Sequence, residues 1–215
     1  MKQITTLTAV AVTTVFVLSS FTIAPRYASA GSVTKLELSK KAISFKVDPG
    51  QSKLTWLAKK VTGEHAGTIQ VRSGSLEVDN NVLKGGSFEL DTKTITVTDI
   101  EDKEGNAKLL GHLKSDDFFA VEKFGAAKFV ITSAQSKGSG LYQIKGNLTI
   151  KGITNEVTFP ANVTVDNNKL VAKAKIKVDR TKYDIKFRSK SFFENLGDKT
   201  IYDDFELDIQ LVANK

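Results

Sequence analysis

Two histidines are the residues of this sequence best suited to metal binding or acid–base chemistry. His112 stands four residues before Asp116 and five before Asp117. On a helix, a four-residue step places two side chains on the same face, as a pair of metal ligands requires. His65 and its neighbour Glu64 would complete such a site if the fold brought them near. Hydrogen bonding at the mouth of a cavity is the alternative role of both histidines.

The remaining sequence favours that alternative. The chain has no cysteine, only two histidines, and no HExxH, GxSxG or glycine-rich phosphate motif. Ser115 and Asp116 are also typical helix-capping residues, which accounts for them without a metal. The carboxylate pairs Asp116-Asp117 and Asp203-Asp204 are adjacent in sequence and would point to opposite sides of a strand, which suits neither pair to acid–base catalysis. The sequence therefore predicts no metal, no cofactor and no enzymatic activity.

Cations next to aromatic residues form a second group of candidates. They occur in Asp179-Arg180-Thr181-Lys182-Tyr183 and in Lys186-Phe187-Arg188. Arg180, Lys182 and Arg188 would meet a phosphate head group if they lay at the rim of a cavity. Ordinary surface charge is the alternative explanation for the same cations.

The elements that carry these residues are mostly strands, because apolar residues recur at alternate positions along the chain. The clearest run is Leu170, Ala172, Ala174, Ile176 and Val178, separated by lysines, and comparable runs cover residues 157–165 and 205–211. Turn signals such as Asp48-Pro49-Gly50 and Lys84-Gly85-Gly86 separate the runs. The pattern predicts an all-β fold, an antiparallel barrel of about eight strands.

One segment breaks the alternation. Residues 106–119 predict a short helical insert, with Asn106 as its first cap and Ser115 as a second. Its apolar stripe needs a protein surface to pack against, and the polar strand faces are rich in lysine. We therefore expect the apolar strand faces to point into the barrel and not outward to lipid.

The interior of an eight-stranded barrel is either filled or holds one small ligand. Small inward residues such as Ala58 and Ala161 leave room, but they equally complement large ones in a filled core, and the periodicity favours neither. If there is a cavity, its predicted lining is apolar. The lining candidates are Leu54, Trp56, Ile69, Phe88, Leu90, Phe129, Ile131, Tyr142, Ile144, Phe159, Ala172, Ala174 and Ile176.

The first thirty residues look like an export signal. Lys2 precedes a largely apolar stretch, and Ala28-Ser29-Ala30 matches a signal peptidase site. We expect residues 1–30 to be a signal peptide, 31–43 a lead segment and 44–213 the barrel domain, periplasmic or secreted and without a stable membrane span after cleavage. The net charge of +7 is spread along strand faces, which argues against a nucleic-acid partner. Pairing of strand edges into a homodimer stays open.

Several strings in the chain resemble one bacterial family. The longest runs from Gly111-His112-Leu113-Lys114-Ser115 to Phe124, and another runs from Gly146-Asn147-Leu148-Thr149 to Phe159. Two shorter strings begin at Phe45 and at Thr62. The last string of the match is Asp179-Arg180-Thr181-Lys182-Tyr183. Over residues 44–213 the chain resembles the YceI-like proteins, the polyisoprenoid-binding family. Gly125 departs from the proline common there.

The resemblance implies a lipocalin-like barrel that is secreted or periplasmic and whose elongated apolar cavity holds an isoprenoid or other long-chain amphiphilic lipid. It favours a ligand cavity where periodicity leaves the choice even. The implied function is non-catalytic carriage or sequestration of that lipid. The alternatives are an enzyme acting on a lipid through His65 or His112, and an envelope interaction protein with a filled core.

Overall fold

The computed structural model describes residues 42–215, which form ten strands and one α-helix. The predicted signal peptide and residues 31–41 of the lead segment lie outside the described residues. The strands are β1 (Ile43–Val47), β2 (Lys53–Lys60), β3 (Gly63–Thr68), β4 (Gln70–Asp79), β5 (Val82–Asp91), β6 (Ala126–Gly138), β7 (Leu141–Ile150), β8 (Ile153–Val165), β9 (Lys169–Asp179) and β10 (Ile201–Asn214), and the helix is α1 (Lys103–Lys114).

The ten strands occupy eight positions of a closed antiparallel barrel. β1 and β2 follow one another along β10, with Lys46 opposite Asn214 and Lys53 opposite Gln210. β3 and β4 likewise follow one another, with β3 beside β2 and β4 beside β1. From β4 to β10 every strand pairs with the next one along the chain, and β10 closes the circle. The predicted eight-stranded antiparallel barrel is thus confirmed.

The apolar face of each strand points into the barrel, as predicted. In β7, Tyr142, Ile144, Leu148 and Ile150 are buried at alternate positions, with more exposed residues between most of them. Lys173, Lys175 and Lys177 of β9 lie on the outer face and are exposed. Burial of the inward side chains is the main stabilising contribution in a chain without disulfides.

The helix begins earlier than predicted. Asp102 is its N-cap and accepts a hydrogen bond from the Gly105 amide at 2.7 Å. The prediction of Asn106 as the cap is wrong, because its side chain donates to the carbonyls of Val97 and Ile100 from within the first turn. Ser115 ends the helix, with its hydroxyl on the His112 carbonyl, and starts no second one.

The helix α1 and the turns that follow it cover one end of the barrel. Leu113, Phe118, Ala120 and Val121 of this cover are buried, and Leu113 and Phe118 belong to the apolar core of the barrel. We call this the helix end of the barrel, and the opposite one the far end. Among the described residues, no helix is both long and apolar enough to cross a bilayer.

Candidate functional site

An apolar cavity lies at the helix end, between Leu113 of α1 and the barrel strands. This helix-end cavity has a volume of about 100 Å³. Its lining is apolar except for a few polar residues near the start of β10 and in the turn after β5. The lining residues are Trp56, Ala58, Ile69, Leu90, Thr92, Ile95, Leu113, Phe118, Phe119, Ala127, Leu148, Ile150, Arg180, Ile185, Ile201, Tyr202, Asp204, Phe205 and Leu207.

Two smaller voids continue from this cavity into the barrel. A middle void of about 20 Å³ shares Leu90, Ala127, Leu148 and Leu207 with the helix-end cavity. A far void of about 40 Å³ shares Phe88, Phe129, Phe159 and Ile209 with the middle void. Because each space shares walls with the next, the three voids form one row through the barrel interior.

Three aromatic rings separate the middle void from the far void. The ring of Phe129 lies 5.6 Å from that of Phe88 and 5.5 Å from that of Phe159. Phe129 also packs on Gly146, where an added Cβ would lie 2.4 Å from the ring. The glycine therefore allows this ring to lie flat against β7. All three rings line both voids.

Most of the predicted lining residues contact one of these voids. Trp56 and Ile69 line the helix-end cavity, and Leu90 lines this cavity and the middle void. The others line the middle or the far void, namely Phe88, Phe129, Ile131, Ile144, Phe159, Ala172, Ala174 and Ile176. Leu54 and Tyr142 are buried but line none of the three voids.

Sequence reasoning missed two kinds of lining residue. Leu148, Ile150, Leu207 and Ile209 continue the period-two runs, so the same signal would have found them. Residues of irregular segments carry no such signal, because their inward direction depends on how the turns fold back over the barrel end. These are Leu113, Phe118, Phe119 and Ile185.

Arg180 lines the helix-end cavity, but its guanidinium already donates hydrogen bonds to three backbone carbonyls. The side chain is 4% exposed and donates to the carbonyls of Ile185, Ile201 and Tyr202 at 2.7, 3.0 and 3.1 Å. A carboxylate oxygen of Asp203 lies 3.5 Å away. Burial lowers the pKa of Arg180, and the nearby carboxylates oppose this shift. Arg180 thus fastens the loop before β10 to the barrel.

The other two predicted rim cations lie outside the cavity lining. Lys182 is exposed, and its carbonyl accepts a hydrogen bond from the Asn155 side chain at 2.9 Å. Arg188 is also exposed, and its guanidinium lies 5.1 Å from the centre of the Phe187 ring. Of the three cations, only Arg180 lines the helix-end cavity.

His65 fastens a connecting segment to β3. Residues 94–99, which we call the strap, run along β3, and the amides of Thr96 and Thr98 donate to carbonyls of that strand. The His65 Nδ1 lies 2.7 Å from an Asp99 carboxylate oxygen, and the Ala66 amide donates to the other oxygen at 2.9 Å. Burial raises the pKa of Asp99, but these two hydrogen bonds outweigh it and the pKa lies below its usual value.

His112 joins α1 to the loop before β10. Its Nε2 lies 3.0 Å from Asp117, and its ring meets those of Phe118 and Phe187 edge-on at 4.9 and 4.5 Å. Asp116, the other carboxylate considered beside His112, instead accepts a hydrogen bond from Lys123 at 2.7 Å. Neither histidine lines any of the three voids.

The two histidines have different partners, Asp99 for His65 and Asp117 for His112, and form no joint site with Glu64. Among residues 42–215, no group of three or more histidine, cysteine, aspartate or glutamate side chains is arranged to hold a metal ion. What the interior offers chemically is apolar surface. The polar groups around it are engaged mainly in holding loops and the strap in place.

Comparison with known proteins places this barrel in a family. The family model described as "YceI-like domain" matches residues 45–213, which is most of the chain. The chain belongs to the YceI-like family. The resemblance seen in the sequence is thereby confirmed.

Curated relatives of this YceI-like protein carry the name UPF0312 protein. One from Shewanella denitrificans is 37% identical over 89 residues, which cover 41% of this chain and 44% of the relative. Another from Pseudomonas putida is 33% identical over 95 residues, 44% of this chain and 47% of the relative. The matched stretch thus spans less than half the length of either relative.

Solved structures share the YceI-like fold. BcnA from Burkholderia cenocepacia superposes with a TM-score of 0.61 at 20% identity, over 78% of this chain and 99% of that one. A polyisoprenoid binding domain from Saccharophagus degradans gives a TM-score of 0.57 at 13% identity, over 79% and 97% of the two chains. At these identities the likeness concerns the fold alone.

Proposed function

We propose that this YceI-like protein binds an isoprenoid or other long-chain amphiphilic lipid inside its barrel and carries or sequesters it without chemical change. The observation that carries the proposal is the row of three apolar voids along the barrel interior. A row of narrow apolar spaces suits a long chain better than a compact ligand. Each buried methylene contributes about 0.8 kcal/mol, so ten would supply about 8 kcal/mol before ordering costs.

The voids are small compared with typical ligand pockets of roughly 300–1,000 Å³. Binding therefore includes a rearrangement in which the rings of Phe88, Phe129 and Phe159 turn aside. Aromatic side chains can do this at modest cost where a void lies on one side of the ring, because packing contacts are already missing there.

Two further observations support a binding role. One structural neighbour, from Saccharophagus degradans, is named as a polyisoprenoid binding domain. His65 and His112, the residues best suited to catalysis, lie outside the voids and hold structural elements together. We therefore expect His65→Ala and His112→Ala to retain lipid binding, although both lose stability.

The proposal includes the place of action. If residues 1–30 direct export, the barrel acts in the periplasm or outside the cell, between membranes that contain such lipids. Detection of the mature N-terminus at Gly31 in protein recovered from the periplasm or medium would support this part. Recovery of the full-length chain only from the cytoplasm would contradict it.

A pair of neighbouring alanines provides the test of the cavity. Ala127 points inward between the helix-end cavity and the middle void, whereas Ala126 precedes it in β6, pairs with Asp91 and lines no void. Ala127→Leu fills shared space and should weaken binding of a fluorescent polyprenyl probe at least tenfold. Ala126→Leu is the matched control and should bind like wild type. Equal binding by both variants would contradict an interior site.

A further inference from the structure

The seam between β8 and β9 is incomplete. Only four residue pairs join these strands, from Asn162 opposite Lys173 to Val165 opposite Leu170. On their other sides both strands are paired along nearly their whole length, β8 with β7 from Leu141–Asn162 to Ile150–Ile153 and β9 with β10 throughout. Residues 156–161 of β8 and 174–179 of β9, which we call the window, thus face each other without ladder hydrogen bonds.

Pro160 explains where the ladder stops. The Asp166 amide donates to the Lys169 carbonyl of β9, and the Val163 amide donates to Gly140 beside β7. Because backbone groups alternate sides along a strand, even-numbered residues of β8 face β9. Pro160 therefore faces β9 with no N–H to donate, directly beyond the last pair at Asn162.

The window has a frame at both ends. The Asn162–Lys173 pair closes it toward the far end. Toward the helix end, Asn155 donates to the Lys182 carbonyl at 2.9 Å and Lys151 donates to the Asp184 carbonyl at 3.2 Å. The six residues on each side give the window a length of roughly 20 Å at the rise of a β-strand.

Solvent reaches the barrel interior at this place. Val157, Phe159, Ala174 and Ile176 belong to the inward face, yet they are only half-buried. The corresponding inward residues of the neighbouring strands, such as Leu148 and Leu207, are 6% and 8% exposed. Phe159 and Ile176, from opposite sides of the window, both line the middle void. The window therefore leads directly to the row of voids.

The seam between β5 and β6 is also incomplete, but a buried side chain fills its gap. β5 and β6 have no pairs beyond Gly86 opposite Ile131. There Leu83 fills the gap, is 2% exposed, and donates its amide to the Tyr142 hydroxyl at 3.3 Å. No such plug occupies the window between β8 and β9, where the flanking apolar residues are half-buried.

We propose that the window is a lateral portal through which the apolar chain of the ligand enters and leaves the barrel. This inference rests on the proposed lipid-binding function. The chain slides in sideways past Phe159, whose ring turns to join the middle and far voids. The head group stays outside the barrel wall, so the ligand class extends to long-chain lipids whose head groups are too large to pass through the interior.

A covalent bridge across the window tests the portal. Because the chain has no cysteine, a thiol-reactive cross-linker reacts only with cysteines that are introduced for this purpose. Thr158→Cys with Lys177→Cys places two exposed thiols on opposite sides of the window, where a short bis-maleimide can bridge them. The matched control bridges a paired seam, between β6 and β7, through Val130→Cys with Asn147→Cys, two exposed residues that lie opposite each other and line none of the three voids. Mass spectrometry identifies the bridged fraction, and stopped-flow fluorescence measures its uptake of cis-parinaric acid.

We expect the bridge across the window to slow uptake and release at least tenfold and the control bridge to leave both rates unchanged. Equal rates for the two bridged proteins and wild type, or equal slowing by both bridges, would overturn the portal. Failure of unbridged wild type to bind either cis-parinaric acid or a polyprenyl probe at equilibrium would instead contradict the proposed function itself.

Pro160→Val gives a second test that needs no bridge. The new amide faces β9 and can extend the ladder, so uptake should slow several-fold. Hydrogen exchange at the Lys175 and Lys177 amides, which face the window by the same alternation, should slow in parallel. Slower exchange with unchanged uptake would overturn the portal, as would unchanged exchange with slower uptake.

Discussion

At the scale of single residues, two buried tyrosines show that the contribution of a hydroxyl to stability depends on whether it has a hydrogen-bond partner. The Tyr183 hydroxyl is buried with no hydrogen-bond partner among the described residues, and burial, with the charge of Asp179, raises its pKa to about 12. The Tyr142 hydroxyl accepts a hydrogen bond from the buried Leu83 amide. The two residues are therefore a matched pair for mutation.

Tyr183→Phe should leave the free energy of unfolding unchanged or raise it, since it removes an unsatisfied buried group. Tyr142→Phe should lower it by about 2 kcal/mol, because the Leu83 amide then stays buried without a partner. Urea denaturation of both variants gives the two values. A larger loss in Tyr183→Phe than in Tyr142→Phe would show that the Tyr183 hydroxyl has a partner.

Asp99 gives a pH dependence with a definite sign. Its pKa is lowered in the folded protein, so its stabilising contribution is present above the unfolded value near 3.9 and is lost as pH falls through the folded value. The difference in unfolding free energy between wild type and Asp99→Asn should thus shrink when pH falls from about 5 to 3. A difference that stays constant over this interval would contradict the role of the Asp99 carboxylate.

At the scale of elements, sequence patterns predicted the strands and their faces well. The alternation of Leu170 to Val178 puts the apolar residues on one side of β9, the lysines between them indicate that this side faces inward, and the structure agrees. The pattern could not predict that the strap runs along β3 or that turns after α1 cover the barrel end, because those contacts depend on chain reversals with no period. The same reason explains why Arg180 belongs to the cavity wall whereas Lys182 and Arg188 do not.

Gly67 beside the strap and Gly111 in α1 differ in the space available for a side chain. A Cβ at Gly67 would lie 1.8 Å from the Thr96 carbonyl oxygen of the strap and 2.6 Å from the Trp56 ring, whereas Gly111 in α1 has open space around it. Gly67→Ala should lower the free energy of unfolding by about 2 kcal/mol, and Gly111→Ala should raise it by about 1 kcal/mol. Thermal denaturation measures both changes. Destabilisation by Gly111→Ala, or tolerance of Gly67→Ala, would contradict the packing described.

At the scale of the whole molecule, the closed barrel has an incompletely filled interior. The periodicity left a ligand cavity and a filled core equally open, because period two shows which side chains share a face but not how they pack, and only the family resemblance favoured a cavity. The structure has the large rings of Phe88, Phe129 and Phe159 in the middle of the barrel and voids on either side of them. This arrangement fits a protein whose interior rearranges around a long chain.

The central claim is that the barrel interior holds a long-chain lipid. The most direct measurement is native mass spectrometry of the full-length chain as it is processed and purified from bacterial cells without detergent, followed by solvent extraction of whatever is bound. The account predicts one apolar-chain lipid per barrel in wild type and its loss in Ala127→Leu but not in Ala126→Leu. Repeated preparations that contain no lipid, and that do not take up added polyprenyl chains, would contradict it.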